Sequence, residues 1–303
     1  MTVKKPHRIC VFGLGSMGFG MGWSLLRAGY LTRGFDLDPA REAEFCAKGG
    51  SALPRDETLR AATIVVSVVV NAAQTRDLLF GDNGIAGALA PGAVVISCAT
   101  LPPEIARECE ARLAETGLHY LDAPISGGAA KAALGELTVM ASGRPAAFAA
   151  AEPALDAMAE RVFRLGDEAG PGSAMKIVNQ MLAGIHIAAA AEALTFGMTQ
   201  GIEPKKAVEV ISDCAGTSWM FENRGPHIAE GDYAPRSAVD IFVKDLGIVL
   251  DIARSARFSA PVAATALQQF LAASGSGYGR EDDSAVAKIY ARNAGLRLPG
   301  DES

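Results

Sequence analysis

Between a short apolar run, Arg8 to Phe12, and a helical pattern that continues to Ala28 lies Gly13-Leu14-Gly15-Ser16-Met17-Gly18. Glycine at these three positions admits few folds. The first permits a sharp turn out of a strand, the second lets the backbone approach a pyrophosphate, and the third lets the next helix pack closely on the sheet. The start of that helix offers free N–H groups and partial positive charge to an anion. Eighteen residues beyond Gly18, Asp36 closes a second short strand, Thr32 to Asp36. A carboxylate there accepts hydrogen bonds from the ribose hydroxyls of NAD and repels the additional phosphate of NADP. Asp38 adds to that repulsion. Arg33 lies nearby, but the two-residue period of a strand does not oblige it to face the ribose. The expected cofactor is NAD, held by Gly13, Leu14, Gly15, Ser16, Met17, Gly18 and Asp36.

The same stretch raises a membrane reading, because residues 9–26 carry no charge and follow Lys4, Lys5 and Arg8. Its five glycines oppose that reading, each weakening a helix by ~1 kcal/mol relative to alanine. No small-residue cleavage site follows a compact apolar core, so no membrane partner is expected. A net charge of -6 with scattered basic residues excludes a nucleic-acid surface, which needs basic clusters to neutralise phosphates. Cys10, Cys46, Cys98, Cys109 and Cys214 form an odd set without a C-x-x-C, as expected of reduced thiols in a cytoplasmic protein. His7, His119, His186 and His227 lack metal-ligand spacing, and no metal is expected.

Strands and helices alternate through the first half. Asp38-Pro39 supplies a cap and a first-turn proline for a helix ending near Lys48. Ile64 to Val70 is almost continuously apolar, as in a strand buried on both faces of a parallel sheet. Ala93 to Cys98 repeats the pattern, Pro102-Pro103 opens a helix to about Thr116, and Leu118 to Asp122 forms another strand. After residue 166 alanine-rich helical segments take over: Met175 to Gln200 as one continuous helix, then 204–214, 239–256, 261–273 and 283–292. The predicted fold is α/β, a Rossmann-type doubly wound parallel sheet followed by a long connecting helix and an all-α C-terminal domain. The expected domains are 1–168 and 169–303. The apolar long helix suggests packing in a homo-oligomer, a dimer or tetramer. Trp219 and Phe221 read as packing residues, His186 as a satisfied core histidine, and Glu281, Asp282, Asp283 and Ser284 as the cap of the last helix.

Two further segments carry chemistry. Asp122-Ala123-Pro124-Ile125-Ser126-Gly127-Gly128 follows a strand at the carboxyl edge of the sheet, where α/β proteins bind ligands. Ser126, Gly127 and Gly128 offer a hydroxyl and unobstructed N–H groups to a carboxylate; the same residues also suit a plain flexible turn. Gly170-Pro171-Gly172-Ser173-Ala174-Met175-Lys176-Ile177-Val178-Asn179 places a lysine and an asparagine one turn apart at the start of an apolar helix. That lysine is either a snorkelling surface residue or a group held in a cleft.

Taken together these segments resemble the β-hydroxyacid dehydrogenases, a family that includes 3-hydroxyisobutyrate dehydrogenase and tartronate semialdehyde reductase. The resemblance runs from about residue 8 to 292. Gly13 to Gly18 matches the cofactor signature. Asp122 to Gly135 matches the substrate signature D-x-P-V-S-G-G-x-x-x-A-x-x-G, with Ile125 for valine. Gly170 to Asn179 matches the catalytic signature G-x-G-x-x-x-K, and Phe242 to Gly247 looks like the cofactor-contacting lysine segment. The resemblance implies Lys176 as acid/base, Asn179 as orienter of substrate or lysine, and Ser126, Gly127 and Gly128 on the substrate carboxylate. It implies Thr100 near the nicotinamide and Lys244 on the cofactor. One position departs: the family asparagine often stands four residues after the lysine, where this chain has Gln180, and Asn179 stands at three. Both positions share a helix face with Lys176.

Further stretches, Gly184 to Ala189, Ser218 to Arg224 and Gly231 to Gly247, resemble family members that oxidise the C2 hydroxyl of a small sugar acid. The implied reaction removes the hydroxyl proton while hydride leaves the same carbon for NAD. Lysine titrates near ~10.4 when free, so a lysine base needs its pKa lowered by burial or a neighbouring cation. The rivals are a 3-hydroxy acid or semialdehyde substrate, or a non-catalytic NAD sensor, which needs neither Lys176 nor the Ser-Gly-Gly segment.

Overall fold

The computed structural model describes residues 7–300, and the chain divides into two compact units between Lys176 and Ile177. In the first unit β1 (Arg8–Phe12), α1 (Gly18–Arg27), β2 (Leu31–Phe35), α2 (Pro39–Ala47), α3 (Arg55–Ala61), β3 (Ile64–Ser67), α4 (Ala72–Phe80), β4 (Val94–Ser97), α5 (Pro103–Ala114) and β5 (His119–Asp122) follow in order. The five strands are parallel in the order β2-β1-β3-β4-β5, the expected Rossmann-type sheet. β1, β3 and β4 are apolar at successive positions because both faces are covered. Ile9, Val11, Ile64, Val66, Val94, Ile96 and Leu121 enter one core. Their neighbours Cys10, Phe12, Val65, Val95 and Tyr120 enter the core on the opposite face. The strand expected to reach Val70 stops at Ser67; the Val68 N–H bonds the Phe12 carbonyl at 2.8 Å as the chain turns away.

A second sheet, absent from the fold expected of the sequence, completes this unit. It comprises β6 (Ile125–Ser126), β7 (Leu137–Ala141) and β8 (Ala159–Arg164), with α6 (Gly128–Leu134) and α7 (Pro145–Met158) between them. β7 runs antiparallel to β6 and parallel to β8. β6 has two residues and β8 is mostly exposed, so neither carries the apolar run that marks a buried strand.

The helical segments are α8 (Pro171–Thr199), which crosses the boundary between the units, then α9 (Pro204–Ser212), α10 (Trp219–Glu230), α11 (Val239–Ser255), α12 (Pro261–Ala273) and α13 (Ala287–Asn293). α8 is long and apolar enough to cross a membrane, yet half of its most apolar stretch is buried. Ile187, Ala188, Ala190, Ala191 and Leu194 join the core of the second unit. α10 is not among the helices expected of the sequence, although Ser218 caps it through a bond from the Phe221 N–H and Gly231 ends it in the left-handed region. Gly225 and Pro226 inside it break the pattern that would have marked it. Phe221 packs as expected, whereas Trp219 is 56% exposed and corrects its reading as a packing residue.

The acidic residues expected to cap the last helix cap the 3-10 turn ahead of it instead, and α13 starts after Val286 with no side-chain cap. Asp282 accepts the Ser284 N–H at 3.2 Å and caps a short 3-10 turn, Asp283–Val286, ahead of α13. Asp283 is buried and pairs with Arg224, while Asp282 bonds His227 at 3.0 Å. Burial opposes the charge on Asp282, but hydrogen bonds from Ser284 and His227 and the Arg224 charge hold its carboxyl below the usual range.

Candidate active site

β1 delivers the chain into Gly13 beside β3, at the point of the sheet where successive connections leave in opposite directions, the place at which sheets of this kind bind ligands. Gly13 has φ +92°, and a Cβ there would stand 2.6 Å from the Val68 carbonyl oxygen. A Cβ on Gly18 would overlap the Gly13 carbonyl oxygen, whereas one on Gly15 would meet no atom within 4 Å. Two glycines thus close the turn, and the middle one leaves open space above the backbone. No side chain caps α1 at Met17. An open backbone cradle at an uncapped helix start fits a pyrophosphate group.

Asp36 follows β2 and is already engaged with this cradle. One carboxylate oxygen accepts the Leu14 N–H at 2.6 Å, and the other accepts the Asp38 N–H at 2.9 Å. Behind it, Glu42 on α2 accepts the Asp36 N–H at 3.0 Å and ion-pairs with Arg33 at 2.6 Å. Arg33 also lies over the Phe35 ring, 4.7 Å from its centroid. Glu42, which no motif marks, therefore decides where Arg33 goes. Thr100 lies partly buried in the loop after β4.

Ser126 ends β6, and Gly127 and Gly128 take φ values of +137° and +78°. A Cβ on Gly128 would meet nothing within 4 Å. The helix that follows is fixed to the cofactor helix: Ser24 of α1 donates to the Ala132 carbonyl at 2.9 Å, and Arg27 donates to the Leu134 carbonyl at 2.9 Å. A Cβ on Gly20 would come 2.8 Å from the Ala133 nitrogen, so α1 and α6 touch through their backbones. Ala132, fully buried, is the small residue this approach requires. The Ser-Gly-Gly segment is thus held between a strand and a braced helix.

Lys176 closes the first unit on α8 and is buried, only 9% exposed, which removes the snorkelling reading. Asn179 and Gln180 begin the second unit's portion of α8 and differ in environment. Asn179 is partly buried and donates to the Gln180 amide oxygen at 2.9 Å. Gln180 is buried and donates in turn to Asp245 at 2.5 Å. The other oxygen of Asp245 ion-pairs with Lys244, the preceding residue on α11. Asn179, Gln180, Asp245 and Lys244 thereby form one polar chain. Asp245 was not picked out from the sequence, although it stands inside the same six-residue segment as Lys244. His186 is half-buried on α8.

Comparison with known proteins agrees with this architecture. The profile of the NAD binding domain of 6-phosphogluconate dehydrogenase matches residues 8–166. That described as NAD-binding of NADP-dependent 3-hydroxyisobutyrate dehydrogenase matches residues 170–290. The chain is 53% identical to an L-threonate dehydrogenase of Cupriavidus necator, over 97% of this chain and 98% of the relative. It is 48% identical to an L-threonate dehydrogenase of Escherichia coli K12 over the full length of both. Among solved structures it is similar to a 3-hydroxyisobutyrate dehydrogenase from Salmonella typhimurium, with TM-score 0.89, 50% identity and coverage of 93% of this chain and 99% of that one. With the dinucleotide cradle, the parallel sheet and the helical second unit in place, the chain belongs to the β-hydroxyacid dehydrogenases related to 3-hydroxyisobutyrate dehydrogenase, and is an NAD-dependent hydroxyacid dehydrogenase.

Proposed function

We propose that this enzyme oxidises the C2 hydroxyl of L-threonate to the 2-keto acid, 2-dehydro-L-erythronate, with Lys176 as general acid/base. The observation that carries the chemistry is the burial of Lys176 near the start of α8, one turn before Asn179. The near-full-length likeness to two L-threonate dehydrogenases supports the substrate. NAD, which Gly13 to Gly18 and Asp36 would hold, would supply the acceptor for the hydride of the carbinol carbon. Lys176 Nζ takes the hydroxyl proton as the C2 carbonyl forms and returns it in the reverse direction, where its cation also stabilises the developing alkoxide. Asn179 orients the substrate or the lysine. Ser126, Gly127 and Gly128 receive the carboxylate, and Thr100 and Lys244 contact the cofactor. In this reading the domains are 1–168 for NAD and 169–303 for the helical part, and the enzyme is cytoplasmic with free thiols. It assembles as a dimer or tetramer; Val178, Leu182 and Phe196, exposed along one side of α8, support self-association.

The test is NADH formation by purified protein with L-threonate, D-threonate, D-erythronate, 3-hydroxyisobutyrate and glycerate. L-threonate should give the highest kcat/KM. A preference for 3-hydroxyisobutyrate, the reading favoured by the name of the Salmonella structure, would keep the mechanism and replace the substrate. Tight NAD binding without turnover of any acid would leave a sensor.

The cofactor half of the proposal makes two separate predictions. Asp36→Asn should lower the preference for NAD over NADP by about 10- to 100-fold in kcat/KM, matching the ~1.5–3 kcal/mol of a hydrogen bond to a charged group. An unchanged ratio would remove Asp36 from the selection. Gly15→Ala enters open space, so it should leave the thermal transition in place while weakening NAD binding by about 10-fold or more through lost pyrophosphate contacts. Gly18→Ala collides with backbone and should lower the melting temperature as well. Equal thermal effects from the two variants would contradict this division.

A further inference from the structure

The carboxylate of Asp122, at the end of β5, is wholly buried. It accepts the Gly170 N–H at 2.9 Å, the Ser173 N–H at 2.8 Å, the Ser173 hydroxyl at 2.6 Å and the Ser142 hydroxyl at 3.1 Å. Each of these donors is a neutral group. Ser142 also exchanges two backbone bonds with Asp122, at 3.0 and 2.8 Å, and its hydroxyl oxygen accepts the Gly172 N–H at 2.9 Å. The first N–H groups of an α-helix have no intrahelical acceptor. Here Gly170 has no side chain with which to cap α8, and Pro171 has no N–H. The cap comes instead from the sheet: Asp122 takes the N–H of Ser173, and Ser142 takes that of Gly172. The approach is close, since a Cβ on Gly172 would stand 2.7 Å from the Asp122 carbonyl oxygen and 2.5 Å from that of Met140.

Two directions of the chain leave this carboxylate. Ala123 to Gly128 runs from Asp122 itself to the Ser-Gly-Gly segment. Along α8, Lys176 stands one turn beyond Ser173, on the same helix face. We infer that Asp122 is a positioning residue: it clamps the first turn of α8 to the end of β5 and so sets the Lys176 amine relative to the carboxylate seat. The inference rests on the reading of Lys176 as acid/base. A neutral serine, threonine or asparagine would cap a helix about as well as aspartate. Burial pushes the Asp122 carboxyl above the usual carboxylate range, against the hydrogen bonds from Ser173, Gly170 and Ser142. What aspartate adds is two acceptor oxygens that hold strand, helix start and Ser142 in one geometry. An asparagine would turn an amide donor toward groups that are themselves donors.

The experiment is a double-mutant cycle on the panel acid that turns over fastest, with kcat, KM and NAD affinity measured for each variant. A displacement on the order of an ångström costs about 100-fold in rate. Asp122→Asn should therefore lower kcat by about that factor, with NAD affinity unchanged. It should have no further effect in the Lys176→Met background, because residues acting through one group are not additive. Near-normal kcat in folded Asp122→Asn, or losses that add in the double variant, would overturn the inference. If Asp122→Asn does not fold, Ser173→Ala decides, since it deletes only the hydroxyl bond. It should lower kcat in the wild-type background and leave the residual rate of Lys176→Met untouched; any other pattern removes the proposal. Normal turnover in Lys176→Met removes the acid/base reading and this inference together, whereas a collapse in Lys176→Met beside an unaffected Asp122→Asn removes this inference alone.

Discussion

Replacing Lys176 with methionine is expected to lower kcat by about 100- to 10,000-fold while NAD still binds, the range that a positioned general base contributes. Methionine is unbranched and apolar, so it fills the slot that the buried lysine stem occupies without opening a cavity. What disappears is the amine. The glycine cradle and Asp36 are assembled from β1, α1 and β2, none of which includes Lys176. Stopped-flow hydride transfer and NADH binding on the same preparation separate the two quantities. Lys176→Arg sharpens the result, because guanidinium keeps its charge and does not deprotonate in the working range. Oxidation should fail in that variant too. Recovery of oxidation by arginine would mean that the position needs charge and not a base.

The largest stability effect should come from Asp283→Ala. Asp283 is fully buried and holds Arg224 through two bonds, at 2.5 and 3.0 Å, on a side chain that is itself buried. Removing one member of such a pair leaves an uncompensated buried charge and typically costs about 3–5 kcal/mol. Replacing both members with apolar residues of similar volume is often close to neutral. Urea unfolding of Asp283→Ala should therefore show the transition of the helical unit shifted strongly downward, and Arg224→Met/Asp283→Leu should recover most of it. A double variant as unstable as the single one would show that the loss comes from packing and not from the stranded charge. Both residues lie in the second unit.

The legible parts of this chain were those whose physics is local. The glycine spacing marks a strand, a turn and a helix start because only glycine accepts φ +92° at position 13 and backbone contact at position 18. The buried parallel strands announced themselves through continuous apolar runs, and the long apolar helix through its length. The second sheet did not, since β6 has only two residues and β8 is largely exposed. α10 was hidden by its internal glycine and proline despite caps at both ends. The acidic run at 281–284 read as a helix cap because capping is local, whereas its pairing with Arg224 and His227 spans more than fifty residues.

The candidate site divides along the same line. Sequence alone gives the glycine spacing, the acidic residue after β2 and the identity of the motif residues, because each is read from its place in the chain. Whether Lys176 is buried, where Arg33 points and what Gln180 touches were decided only by tertiary structure. Glu42 reaches Arg33 from the next helix, Asp245 reaches Gln180 from sixty-five residues away, and Asp122 reaches Ser173 from fifty-one. A side chain's partner across such separations is set by how the sheet and helices pack, and no local spacing encodes it.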